Sequence, residues 1–131
     1  MILGSTTLRM LALLSAMAMP AHAADVTRGK ALLADRQRSL CLLCHAGPDG
    51  EPALQGSLAP GLRGVGSRHD LTELRHHLSA PQDFNPETIM PSYTRSSGLV
   101  NVGRAWQNRP ILVPDELEDL IAYLATLKDA P

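Results

Sequence analysis

The sequence predicts a small all-α domain of short helices and long loops. Three observations carry that expectation. No stretch alternates apolar and polar residues over the length of a strand, and no internal repeat or low-complexity tract occurs. Ten glycines and ten prolines are spread so that every candidate helix stays short. The 131 residues hold only four aromatics, Phe84, Tyr93, Trp106 and Tyr123. A domain this small usually needs aromatic bulk, so its core is either aliphatic or completed by something other than protein.

The first element is not part of the fold. Arg9 precedes an apolar run from Met10 to Met19, then Pro20 and Ala21-His22-Ala23. A charged start, an apolar centre and an A-x-A ending read as an export signal cleaved after Ala23, with residues 24–131 as the functional domain. A retained membrane anchor fits less well, because a span takes about 20 apolar residues. No second run of that length follows, so no membrane span is expected after cleavage. Removing residues 1–23 leaves 108 residues, with 11 basic against 13 acidic side chains. Without a basic surplus the chain has no electrostatic grip on nucleic acid. Met90 is then the one methionine left.

Residues 25–38 have helical composition, with Ala31, Leu32, Leu33 and Ala34 on a short apolar face and Gly29 as a weak point. Residues 46–68 hold six of the ten glycines and predict a loop. Asp70-Leu71-Thr72-Glu73 forms a capping-box signal that opens a helix to about Ser79, closed by Ala80-Pro81. Asn85-Pro86-Glu87 can start another helical turn, which Pro91 stops directly after Met90. From Pro91 to Pro110 the chain reads as a polar loop, long enough to imply that it covers something. The clearest helix follows Pro114. Acidic residues crowd its start, and Leu117, Leu120, Ile121, Leu124 and Leu127 form one apolar stripe.

Cys41-Leu42-Leu43-Cys44-His45 is the C-x-x-C-H attachment signal for a c-type haem. Thiols three residues apart on a helical turn can bond to two vinyl groups on one porphyrin edge, and His45 then offers its imidazole to the iron. A thiol-redox pair would need a βαβ surround, a zinc site would need further ligands such as His69, His76 or His77, and an inert disulfide also suits an exported chain. A covalent haem c explains the poverty in aromatics best, because the porphyrin supplies the missing flat apolar core.

Met90 is the leading sixth ligand, a thioether in a proline-bounded loop; His69, His76 and His77 compete with it. His/Met ligation raises the potential and leaves no easy place for substrate, which favours electron transfer. Ala59-Pro60-Gly61-Leu62 is spaced so that a backbone carbonyl there can accept from His45 Nδ1–H, placing Pro60 in the haem surround. Arg68, Tyr93 and Trp106 are candidates to hydrogen-bond the propionates, and equally plain loop residues.

These motifs, in this order, resemble the class I c-type cytochromes. The run Asn85-Pro86-Glu87-Thr88-Ile89-Met90-Pro91-Ser92-Tyr93, the stretch Pro110-Ile111-Leu112 and the run Glu118-Asp119-Leu120-Ile121-Ala122-Tyr123-Leu124 narrow the resemblance to the SoxX family, the small monohaem subunits of SoxAX cytochrome complexes. The resemblance implies that Cys41 and Cys44 hold haem c and that His45 and Met90 ligate its iron. It implies a periplasmic heterodimer with a larger SoxA-like cytochrome, whose haem has a cysteine ligand this chain lacks. That complex couples thiosulfate to a cysteine of a SoxYZ-like carrier, as an L-cysteine S-thiosulfotransferase, and the small subunit passes electrons to a downstream cytochrome c. A free-standing periplasmic electron carrier is the alternative. An apolar patch beside the haem edge would favour the subunit, and Leu99, Val100, Val102 and Trp106 in the long loop point that way.

Overall fold

The computed structural model describes residues 22–48 and 55–129; the expected export signal, apart from His22 and Ala23, lies outside them. The helices are α1 (Val26–Ala34), α2 (Val65–Arg68), α3 (Leu71–Ser79) and α4 (Pro114–Thr126). Single 3-10 turns lie at Cys41–Leu43, Pro81–Asp83 and Arg104–Trp106. Among the described residues no strand forms, only an isolated parallel bridge between His45 and Ala59. The architecture is all-α.

Helix α4 is the axis on which the others pack. Pro114 sits in its first turn, and Glu116 accepts the Val113 N–H at 3.0 Å. Leu117, Leu120, Ile121 and Leu124 bury the predicted stripe, and Tyr123 and Asp119 are buried with them. Helix α1 crosses α4 in direct contact, because a Cβ at Gly29 would lie 2.0 Å from the Asp119 carbonyl oxygen. The residue that weakens α1 on propensity grounds is therefore what lets it dock.

Helix α1 ends at Ala34, four residues before the sequence suggests. Asp35 folds back, its carboxylate accepting the N–H groups of Gln37 and Arg38 at 2.8 and 3.1 Å. Arg38 then reaches α4, donating to Glu116 at 2.7 Å and to the Ile111 carbonyl at 3.1 Å. The Arg38 guanidinium holds the Glu116 carboxyl below its ordinary value, against a burial effect that pushes it up.

The capping box of α3 forms in full. Asp70 accepts from Thr72 and Glu73 N–H at 2.8 and 2.9 Å, and Glu73 accepts from Asp70 N–H at 3.1 Å. Leu74 and Leu78 are buried, and Arg75 pairs with Glu118 of α4 at 2.5 Å. Two local expectations need correction. The glycine-rich stretch contains the one-turn helix α2, pressed so closely on α4 that a Cβ at Gly66 would meet the Ala125 carbonyl oxygen at 2.5 Å. The helical turn expected at Asn85–Glu87 does not form. Asn85 Oδ1 accepts the Glu87 N–H at 3.1 Å and makes a plain turn, while the 3-10 turn lies earlier, after Ala80. Among the described residues no helix is long and apolar enough to cross a membrane.

Candidate haem site

Cys41, Cys44 and His45 sit on and just after a single 3-10 turn, entered through Leu40 in the left-handed conformation at φ 57°. The His45 N–H donates to the Cys41 carbonyl at 3.0 Å, which closes the turn. Both cysteines are free thiols, Cys41 buried and Cys44 half-buried. Backbone bonds then stitch this segment to the next. Gly56 N–H donates to Leu42 at 2.8 Å, Ala59 N–H to Cys44 at 3.0 Å, and Leu62 N–H to Ala46 at 2.9 Å. That pairing brings the Pro60 carbonyl to 2.7 Å from His45 Nδ1. A proton on Nδ1 satisfies that carbonyl and leaves the Nε2 lone pair for a metal.

Met90 arrives from a second wall, made of α3 and residues 81–93. Tyr93 N–H donates to the Leu78 carbonyl at 2.9 Å, and Ser92 Oγ donates to the Ser79 carbonyl. Gln82 Nε2 reaches the Met90 carbonyl at 3.3 Å, and the Met90 N–H reaches Thr88 Oγ1 at 3.2 Å. Between the two walls lies an open-sided, mostly apolar cavity, lined by His45, Pro60, Leu62, Leu78 and Met90 and backed by Leu120 and Leu124 of α4. A second cavity shares Cys41, His45, Pro60, Met90 and Tyr93 with it, so the two form one slot that runs from the cysteines inward.

The slot fits a covalently held flat group better than the rival chemistries. Burial pushes the Cys41 thiol pKa up, although hydrogen bonds with Tyr93 and Ser39 act against it. Redox-active cysteines need the reverse shift. Among the described residues no three His, Cys, Asp or Glu side chains are grouped to hold a metal ion, which disfavours zinc.

Tyr93 is buried at the cysteine end. Its hydroxyl donates to the Ser39 carbonyl at 3.0 Å and lies 3.7 Å from Cys41 Sγ, and burial pushes its pKa far up. It therefore ties the two walls together. Arg68 lines the cavity but donates to the Gly61 and Arg63 carbonyls at 2.8 and 2.7 Å. Trp106 lies on the exposed Arg104–Trp106 turn and is not among the residues lining either cavity, so its placement in the haem surround is not supported. His69 and His77 line the cavity; His76 does not, and pairs with Asp83 at 2.7 Å. Sequence reasoning missed Ser39 and Gln82, whose roles rest on partners more than 50 residues away in one case and on loop geometry in the other.

Comparison with known proteins agrees with this geometry. The sequence profile of the cytochrome c family matches residues 26–128. A chain of the crystal structure of SoxXA from P. pantotrophus superposes with a TM-score of 0.71 at 28% identity, covering 81% of this chain and 83% of that one. No curated protein matches the sequence.

Proposed function

The chain belongs to the cytochrome c family, and on that premise we propose that it is the electron-accepting subunit of a periplasmic thiosulfate-oxidising complex. Its larger partner would be a SoxA-like cytochrome. The likeness to a SoxXA chain supports this, but the observation that carries it is the surface at the slot mouth. Leu43, Leu58 and Ile89 are 53%, 77% and 79% exposed, and all three line the cavity that opens beside Cys41 and Cys44. Exposed apolar side chains around the place where electrons enter make a surface that a partner covers. Val100 and Trp106 of the long loop are exposed too, but line neither cavity of the slot.

In this reading residues 1–23 direct export and residues 24–131 fold around the haem. Cys41 and Cys44 hold haem c, which stores one electron at a time when bound. His45, oriented by the Pro60 carbonyl, and Met90, carried by the loop tied to α3, ligate the iron. An iron held by both His45 and Met90 would offer no open position to a sulfur substrate. Joining the outer sulfur of thiosulfate to a carrier cysteine forms one S–S bond and releases one proton and two electrons. The bond forms at the partner, and this chain's apolar lining keeps water from the site that receives the electrons and passes them to a cytochrome c acceptor.

The test is reconstitution. Mixed with a SoxA-like subunit, the haem-loaded chain should form a stable complex that reduces cytochrome c only when thiosulfate and a SoxYZ-like thiol carrier are both present. Turnover of thiosulfate by the chain alone would overturn the relay role. Failure to bind any partner, with free electron exchange, would establish the diffusible carrier instead.

A further inference from the structure

The histidines near the slot are not equivalent. His76 points away and is held by Asp83. His69 follows α2, whose Arg68 is tied to carbonyls of the His45 wall, and its Nδ1 lies 3.6 Å from Glu73. His77 enters the cavity from α3, the helix to which the Met90 loop is bonded through Leu78 and Ser79. Its ring stacks on Phe84 with centroids 3.8 Å apart and planes 19° apart, and His69 meets it edge-on at 4.9 Å. Among the described residues neither ring nitrogen of His77 has a hydrogen-bond partner, and burial lowers its pKa. The imidazole is therefore open to coordination. It is also the commonest metal donor.

We propose that His77 is a second iron-ligating residue, which takes the sixth position when the Met90 thioether leaves it. The inference rests on the haem reading of the slot and on Met90 as the resting ligand. The two donors share a wall but not a support. Met90 itself is held by side-chain bonds of 3.2 and 3.3 Å, in a loop anchored to α3 only further on, at Ser92 and Tyr93, whereas His77 stands on a fully capped helix paired to α4. The loop can withdraw while α3 stays in place, and the Phe84 stack already fixes the imidazole plane. Exchange of thioether for imidazole lowers the potential, so loop displacement would turn a good electron acceptor into a poor one.

Spectra of the haem-loaded ferric protein test this without any assay of activity. Met90→Ala should lose the sulfur-to-iron charge-transfer band yet remain low-spin, with the paramagnetic resonance signature of two nitrogen ligands. Met90→Ala/His77→Phe should become high-spin, while Met90→Ala/His69→Phe should stay low-spin. A pyridine haemochrome on each variant verifies that the haem is still attached. Should the first double variant not accumulate, His77→Gln in its place reads the same spin state. If Met90→Ala is itself high-spin, or if its low-spin form survives loss of His77, the proposal is wrong. If the sulfur band survives Met90→Ala, the resting-ligand assignment has failed instead, and the exchange falls with it.

Discussion

The two walls of the slot are built by different means. The His45 wall is sewn by backbone hydrogen bonds of 2.8 to 3.0 Å between residues 42–46 and 56–62, and its key contact, Pro60 carbonyl to Nδ1, is also backbone at one end. The Met90 wall hangs from α3 by the Ser92 hydroxyl and the Tyr93 N–H, and Met90 itself is braced by the side chains of Gln82 and Thr88, so most of its ties run through side chains. Backbone pairing survives most substitutions, since any residue supplies it. Side-chain straps can be cut one at a time. The molecule thus has a fixed ligand and an adjustable one, and mutations should affect the two walls unequally.

The largest effect breaks the fixed wall at its chemistry. Cys41→Ser/Cys44→Ser should abolish covalent haem altogether, read as colour lost on acid-acetone extraction. No other change should do this. Met90→Ala, on the adjustable wall, should keep the haem attached while the sulfur band disappears. The potential should fall by a part of the roughly 0.8 V range that axial ligands control.

That asymmetry bears on what could be read from sequence. The cysteine turn, the Asp70 box and the α4 stripe were legible because each is a local pattern whose partners lie within one or two turns. The ends of elements were less so. Asp35 and Asn85 each stop or replace a helix by folding the side chain onto nearby N–H groups, a choice that composition does not decide. Long-range ties were not legible at all. Nothing around Tyr93 announces that its hydroxyl will meet Ser39, and nothing around His77 distinguishes it from His76 until α3 is docked. Asp119 reads as one more acidic residue at a helix start, yet it is the fully buried carboxylate at the α1–α4 crossing.

Acid provides the next test, one that should loosen both walls alike because both stand on α4. Burial pushes the Asp119 pKa up, but the Asp25 N–H, Arg28 and His22 outweigh it and hold the carboxyl at about 2. Asp25 and Arg28 both remain after removal of residues 1–23. The ordinary value is near 3.9. The stabilisation from this carboxylate is complete above that pH and is lost as the pH falls below the ordinary carboxylate range, since Asp25 and Arg28 still hold the carboxyl down. Helical circular dichroism and the sulfur band should therefore decline together in that window. Asp119→Asn should move the loss to higher pH. A sulfur band that disappeared well before the helical signal in the native protein would show that the frame is not what fails.

Tyr93→Phe cuts the tie between the walls without emptying the core. The ring stays, but the buried Ser39 carbonyl loses its donor, at a cost of about 1–2 kcal/mol. Thermal unfolding should drop accordingly. The sulfur band should weaken at temperatures where the His45 side is still intact.

The smallest effect is the most discriminating. Thr88 Oγ1 accepts the Met90 N–H at 3.2 Å, a long bond on a partly exposed loop. Thr88→Val preserves the shape and the branching at Cβ while removing the acceptor, and water can reach the freed N–H. Global stability should change by no more than about 0.5 kcal/mol. Yet that bond is one of the few restraints on the residue that carries the thioether. If the Met90 wall is the adjustable one, exogenous imidazole should displace Met90 measurably more easily in this variant, with melting temperature and haem attachment unchanged. The direct contact on the other wall, His45 to Pro60, offers no side chain on the carbonyl to remove, and Pro60→Ala keeps its backbone acceptor. That substitution should leave imidazole binding as it is in the native protein. If it raised imidazole binding as much as Thr88→Val, the two walls would be equally pliable, and the division between fixed and adjustable ligand would fail.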